Sequence, residues 1–147
     1  IVKRKLADSI QIYFSLIDQK PLKELLPLAK KNNIGVIIAE PLAQGLLTNK
    51  YKIGHTFPKN DLRSSSYSKQ LLEKKLKRVK QFNFLIKKNR TLNQAALAYV
   101  LSKEEVSTCI PGAKSTEQLI SNTTSSKIEL NQSELKKIEE IQEEWRD

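Results

Sequence analysis

The feature that most constrains this chain is the stretch Ile34-Gly35-Val36-Ile37-Ile38-Ala39, which carries no polar side chain. A strand with one wet face alternates apolar and polar residues, whereas a strand without alternation must be covered on both faces. That is the signature of a parallel sheet buried between layers. Parallel neighbours cannot be joined by a tight hairpin and need a crossover, usually a helix. The flanking sequence should therefore supply helices and further strands.

Apolar periodicity switches between two and 3.6 along the chain, as alternating strands and helices require. Ile10 to Ile17 (IQIYFSLI) is rich in β-branched and aromatic residues and is expected to be a strand. Pro21 sits where a first helical turn would begin, and Leu22, Leu25, Leu26 and Ala29 give one buried helical stripe, with a kink expected at Pro27. Asn32 and Asn33 close that helix ahead of Ile34–Ala39. A long connection without obvious structure then runs from Glu40 to about Ser66, a length that in a compact domain signals either function or disorder. A basic amphipathic helix follows, with Leu72, Leu76, Val79 and Leu85 or Ile86 facing inward.

Thr91 to Gln94 (TLNQ) fits a capping box and opens an alanine-rich buried helix over Ala95–Leu101. Val106 to Ile110 is a short strand. Ser115 to Gln118 (STEQ) is a second capping pattern, opening a helix to about Asn122. Asn131 to Glu134 opens a last one with Leu135, Ile138, Ile141 and Trp145 on one side. The order of strand, helix, strand, long loop, two helices, strand and two helices defines an α/β chain with a parallel sheet. Three strands are too few to close such a sheet, since an eight-stranded barrel takes about 250 residues. The chain starts at Ile1 and contains no Met, so residues 1–147 are expected to be one unit from a longer parent.

Composition narrows the function classes. The net charge of +10 comes mostly from lysine, much of it on helix faces such as Lys69, Lys74, Lys75 and Lys80, where a solvated surface is the plain reading. A polyanion partner is the second reading, although no zinc-ligand spacing, recognition-helix pattern or aromatic-stacking motif points to nucleic acid. No stretch is long and apolar enough to span a bilayer. A single cysteine, Cys109, precludes an internal disulfide framework and fits a reducing compartment, so a cytoplasmic protein is expected.

Two segments can carry chemistry. Glu40-Pro41-Leu42-Ala43-Gln44-Gly45-Leu46-Leu47 follows the end of an apolar strand, the place where barrel enzymes build their sites. Gly45 permits close backbone approach to a ligand, and exposed amides in such a turn can bind a pyrophosphate. A simple surface turn is the alternative. Ile110-Pro111-Gly112-Ala113-Lys114-Ser115-Thr116-Glu117-Gln118 joins the last strand to a helix, whose N-terminal amides favour an anion and to which Lys114 adds a full charge. Ser115 and Gln118 can equally serve as helix caps with Lys114 in solvent. Asp61 and Arg63 in the long connection can pair to order it over a ligand, or remain a solvated pair. His55, the only histidine, has no partner set at a recognisable spacing and is expected to be solvated. Cys109 is expected in the core, Trp145 in packing, and no metal cluster is anticipated.

Taken together, IQIYFSLIDQKPLKELLPLAKKNNIGVIIAEPLAQGLLTNKY and IPGAKSTEQLISN resemble the aldo-keto reductase family, particularly its bacterial-type and potassium-channel-β-subunit-like branches. The second segment is close to the family's Pro-Gly-Ala-Arg/Lys-Ser-x-x-Gln-x-x-x-Asn cofactor signature. The resemblance implies the C-terminal portion of a (β/α)8 barrel, strands six to eight with their helices and the C-terminal helix. It implies that Gln11 meets the nicotinamide carboxamide, that Leu42 and Gly45 lie beside the pyrophosphate, and that Gly112, Lys114, Ser115, Gln118 and Asn122 hold the adenosine end. Lys114 would then meet a 2′-phosphate, which favours NADP(H) over NAD(H). Many relatives carry an aromatic residue at Ala39 and Ser at Glu40, and a carboxylate at Glu40 must turn away from a diphosphate or weaken its binding.

The family's catalytic Asp, Tyr, Lys and His come from earlier strands and have no counterpart here, so the implied parent is a reductase of small carbonyl substrates and this chain is its cofactor-binding part, inactive alone. An unfinished sheet would associate with the missing N-terminal half or with itself. The alternative is a non-catalytic module that binds a nucleotide or a polyanion.

Overall fold

In a computed structural model, which describes residues 2–4 and 6–145, β1 (Ser9–Tyr13), β2 (Gly35–Ala39) and β3 (Thr108–Ile110) lie side by side in chain order, all parallel. The register sets Gln11 beside Ile37 and Ile37 beside Thr108, so all three carboxyl ends emerge on one side of the molecule. Crossovers supply the helices. α1 (Leu25–Lys31) joins β1 to β2, and α2 (Arg63–Ser66), α3 (Lys69–Gln81) and α4 (Leu92–Leu101) lie between β2 and β3. After β3 come α5 (Thr116–Thr124) and α6 (Gln132–Glu143).

Strand alternation divides the sheet into two unlike faces. Ile10, Ile12, Val36, Ile38 and Cys109 point into the main core under the helices, with Val36 and Ile38 fully buried. Ser9, Gln11, Tyr13, Ile37, Thr108 and Ile110 point the other way, where Tyr13 stays 63% and Ile110 51% exposed. The apolar run of β2 therefore has a covered side and an open one. The core is completed by Leu26 and Ala29 of α1, Leu72, Leu76 and Val79 of α3, the almost wholly buried α4, and Ile138 of α6.

Several elements depart from the sequence expectations. The first strand ends at Tyr13 rather than Ile17, because Ser15 and Asp18 exchange backbone hydrogen bonds of 3.1 and 3.2 Å and turn the chain. Phe14, Leu16 and Ile17 are buried by helix packing instead of by strand pairing. Pro21 lies in a short 3-10 turn (Lys20–Leu22), and Pro27 is the third residue of α1. The amides of a first helical turn have no intrahelical acceptor, so Pro27 removes no bond and no kink is needed. Leu22 and Leu25 are only half-buried, leaving Leu26 and Ala29 as the deep stripe. α3 stops at Gln81; Leu85 is buried in the following 3-10 turn (Phe82–Leu85), whereas Ile86 is exposed. β3 begins at Thr108, Val106 being turned back onto Lys103.

The capping box expected at Thr91 forms, and the helix start expected at Asn131 is closed by a box as well, whereas Ser115 caps α5 without a return bond from Gln118. Gln94 accepts from Thr91 N–H at 3.0 Å, and Asn131 accepts from Glu134 N–H at 2.9 Å while the Glu134 carboxylate accepts from Asn131 N–H at 3.2 Å. Glu134 also takes both arms of the Arg90 guanidinium in a pair that is about nine-tenths buried. The neighbouring Arg90 holds the Glu134 carboxyl below its ordinary value. Gln142 of α6 donates to the Leu16 carbonyl at 3.0 Å and lies near the Tyr99 hydroxyl, tying the last helix to the turn after β1. Trp145 packs edge-on against Phe82 and donates to Gln81, as a packing residue should.

Candidate cofactor site at the strand carboxyl ends

The loops leaving β2 and β3 start from adjacent strands at the same end of the sheet, the position where parallel α/β folds place their ligands. Each of the two segments singled out in the sequence forms one of these loops.

Beyond β2 the backbone enters the left-handed region at Glu40 (φ 52°), then at three consecutive residues, Ala43 (48°), Gln44 (55°) and Gly45 (90°). Only the last is glycine, so the turn is strained at non-glycine positions. Ala43 N–H donates to the Glu40 carbonyl at 2.8 Å, and Gly45 and Leu47 N–H both donate to the Leu42 carbonyl. These three amides are engaged inside the turn, so it is less open to an anion than a turn of free amides. Among the described residues, Leu42 N–H is left without a partner. The Glu40 carboxylate accepts from Gln44 Nε2 at 3.2 Å, which draws the carboxylate toward the Gln44 side chain. Gln44 Oε1 is buried and has no donor among the described residues.

The long connection is more ordered than its sequence implies. It holds a 3-10 segment (Ala43–Thr48) and α2, and is gathered around Arg63. Arg63 Nε and Nη2 donate to the two Asp61 oxygens at 2.8 and 2.5 Å, while Nη1 donates to Tyr51 Oη at 2.6 Å and to the Gln44 carbonyl at 3.2 Å. The guanidinium lies 4.3 Å from the Phe57 ring centroid. Both partners are about three-quarters buried, so the Asp61–Arg63 pair is the ordering kind and not a solvated one. The Arg63 hydrogen bonds hold the Asp61 carboxyl well below the usual carboxylate range, and the charge of Lys114 adds to the effect. The β2 and β3 loops are therefore electrostatic neighbours. His55 is half-buried with its ring centroid 4.6 Å from Tyr51 and 4.9 Å from Phe57. It packs in this aromatic cluster, contrary to the expectation of a solvated side chain.

Beyond β3, Gly112, Lys114, Ser115 and Gln118 are all exposed. Ser115 is the N-cap of α5, accepting from Gln118 N–H at 3.3 Å. Gln118 Oε1 reaches back to accept from Lys114 N–H at 2.8 Å, and buried Asn122 donates to the Gly112 carbonyl at 3.5 Å. Gln118 and Asn122 thus brace the Gly112–Ser115 backbone. The loop keeps Lys114 in solvent without an ion-pair partner among the described residues. Gln11 lies exposed on the open face, in register with Ile37, and Leu42 and Gly45 are half-buried in the β2 turn. Cys109 faces the helices, where burial raises its thiol pKa.

Sequence reasoning identified Asp61 and Arg63 but not Tyr51 or Gln44, whose roles arise only when the connection folds back on itself. Among the described residues no group of three His, Cys, Asp or Glu side chains is placed to hold a metal, and no helix is long and apolar enough to cross a membrane.

A parallel sheet with two polar loops at its carboxyl ends defines an α/β chain of the kind that binds ligands at that edge. The aldo/keto reductase family profile matches residues 3–143, and the chain belongs to that family. It is 31% identical over 130 residues to an NADP(+) aldo-keto reductase of Schizosaccharomyces pombe, covering 86% of this chain and 38% of that protein. Similarity to the NADH-specific methylglyoxal reductase of Escherichia coli is 28% over 139 residues, covering 92% and 42%. Among solved structures, the glycerol dehydrogenase of Gluconobacter oxydans superposes with a TM-score of 0.80 at 31% identity, covering 94% of this chain and 43% of that one. The chain spans about two-fifths of the length of the relatives it matches.

Proposed function

We propose that this chain is the cofactor-binding part of an NADP(H)-dependent aldo-keto reductase, residues 1–147 forming the C-terminal portion of a (β/α)8 barrel with β1, β2 and β3 as its sixth to eighth strands. The observation that carries the reading is the convergence of the β2 and β3 loops at one end of the sheet, one a turn of strained backbone and the other carrying the exposed Lys114 ammonium, which has no ion-pair partner among the described residues. The residues present fit a dinucleotide: an exposed cation for a phosphate, a helix N-terminus at Ser115, a Leu42 amide without a partner among the described residues, and a Glu40 carboxylate engaged by Gln44. The nicotinamide, when bound, supplies the hydride that reduces a carbonyl carbon.

The chain's own residues bind and orient. Lys114 pairs with a 2′-phosphate, Ser115 and the first turn of α5 face anionic oxygen, and Gly112 admits the ligand because no atom stands where its Cβ would be. Gln118 and Asn122 keep that loop in shape. Leu42 and Gly45 form the floor beside the diphosphate. Gln11, on the open face, presents its amide to the nicotinamide carboxamide. The proton for the carbonyl oxygen, and the Asp, Tyr, Lys and His that deliver it, come from strands outside this chain, so residues 1–147 alone do not turn over. In the intact cytoplasmic enzyme those strands cover the open face; in the isolated chain a second copy does.

Calorimetric titration of the chain with NADPH and NADH, beside a Lys114→Ala variant, tests the reading. One charge-assisted phosphate contact predicts NADPH binding tighter than NADH by about tenfold or more, with the preference lost in the variant. Equal affinity for both cofactors, or a preference that survives Lys114→Ala, removes Lys114 from the 2′-phosphate site. Absence of binding shows that the chain does not hold the cofactor by itself.

A further inference from the structure

The turn assigned to the cofactor diphosphate does not hold its shape by local preference. Ala43, Gln44 and Gly45 are left-handed in succession, and the Gln44 Oε1 is buried without a donor among the described residues. Both features disfavour this conformation in an isolated segment. What opposes them comes from further along the chain. Arg63 Nη1 donates to the Gln44 carbonyl at 3.2 Å, in the middle of the strained run, and to Tyr51 Oη at 2.6 Å. The Gly45 Cα approaches the same two residues: a Cβ built there would lie 3.6 Å from Tyr51 and 3.9 Å from Arg63.

Arg63 is itself fixed in direction. Asp61 takes Nε and Nη2 in a two-pronged pair and, through the same Oδ1, the Arg63 backbone N–H at 3.0 Å. Phe57 lies against the guanidinium at 4.3 Å and Tyr51 at 5.3 Å. With two nitrogens turned toward Asp61, the third is aimed at the Tyr51 hydroxyl and the Gln44 carbonyl. A planar guanidinium serves these acceptors at once, which an ammonium cannot.

We propose that Arg63 is a positioning residue for the cofactor turn: held by Asp61, Tyr51 and Phe57, it grips the Gln44 carbonyl and keeps residues 42–45 in their binding shape before any ligand arrives. The ligand in this proposal rests on the cofactor reading above; the grip on the turn does not. Preorganisation of this kind raises affinity by removing the ordering of the loop from the binding step. It also explains why the long connection carries a largely buried ion pair.

Hydrogen–deuterium exchange of the 147-residue chain, with and without NADPH, separates the two parts. In the free chain, Arg63→Lys and Asp61→Asn should each speed exchange across residues 42–48 by about tenfold, the scale of one lost charge-assisted hydrogen bond, while the amides of α4 stay unchanged. NADPH should slow the same segment in the parent chain, and its affinity should fall by about tenfold in Arg63→Lys. Unchanged exchange over 42–48 in the free Arg63→Lys chain overturns the grip. A loosened turn with unaltered NADPH affinity overturns the positioning role while leaving the cofactor reading intact. A parent chain with no response to NADPH defeats the cofactor reading and the ligand part together, whereas the free-chain exchange still decides the grip. If Arg63→Lys also exposes α4, Tyr51→Phe takes its place, with a smaller acceleration of about threefold expected over the same residues and none elsewhere.

Discussion

The two faces of the sheet are built to different standards. On the helix side, Val36 and Ile38 are fully buried, and the polar groups at its periphery are matched: Glu134 by Arg90 and the Asn131 amide, Gln142 by the Leu16 carbonyl. On the other side, Gln11, Tyr13, Thr108 and Ile110 face solvent. The polar residues proposed to bind the cofactor sit at or above that unfinished side. The difference teaches that this chain has its own core and holds its loops from behind, while the opposite face of the sheet, where a ligand is proposed to lie, is left open.

The largest test of this asymmetry is a pair of truncations at one chemical level. Ile38→Ala on the covered face should cost about 2–5 kcal/mol in urea denaturation, since it leaves a cavity in a closed core. Ile110→Ala on the open face should cost under about 1 kcal/mol. Equal losses would mean that the open face is packed in the chain as it folds.

Removing the matched polar group should rank next. Arg90→Ala leaves the buried Glu134 carboxylate with only the more exposed Lys87 ammonium at 3.5 Å and the Asn131 amide, and should destabilise by about 3 kcal/mol at neutral pH. The same pair predicts an acid limb. Because Arg90 depresses the folded pKa of Glu134, its contribution is present above the unfolded value of about 4.3 and is lost as pH falls through the folded value. Glu134→Gln should flatten the slope of stability against pH below about pH 4. An unchanged slope would show that other carboxylates govern acid unfolding.

What was legible in the sequence followed from local rules. β2 announced itself by its lack of alternation, and the box at Thr91–Gln94 and the opening at Asn131–Glu134 marked real helix starts. The end of β1 was not legible, because Phe14 to Ile17 is as apolar as the strand itself and only the Ser15–Asp18 turn separates them. Long-range partners were also invisible. Gln142 reaches Leu16 across 126 residues and Arg90 meets Glu134 across 44, with no spacing rule linking either pair. At the candidate site, Lys114 and Gly45 could be named from the signatures they complete. The grip of Arg63 on Gln44 could not, since the carbonyl it holds belongs to the backbone and leaves no trace in residue identity.

The open face is the central claim, and sedimentation velocity tests it directly. The account predicts that the 147-residue chain self-associates as its concentration rises, and that placing charge on the open face with Tyr13→Lys and Ile110→Lys returns it toward monomer without loss of helix content. A parent chain that sediments as a monomer at every concentration would contradict the account, because the exposed strand edges and apolar side chains would then need no partner.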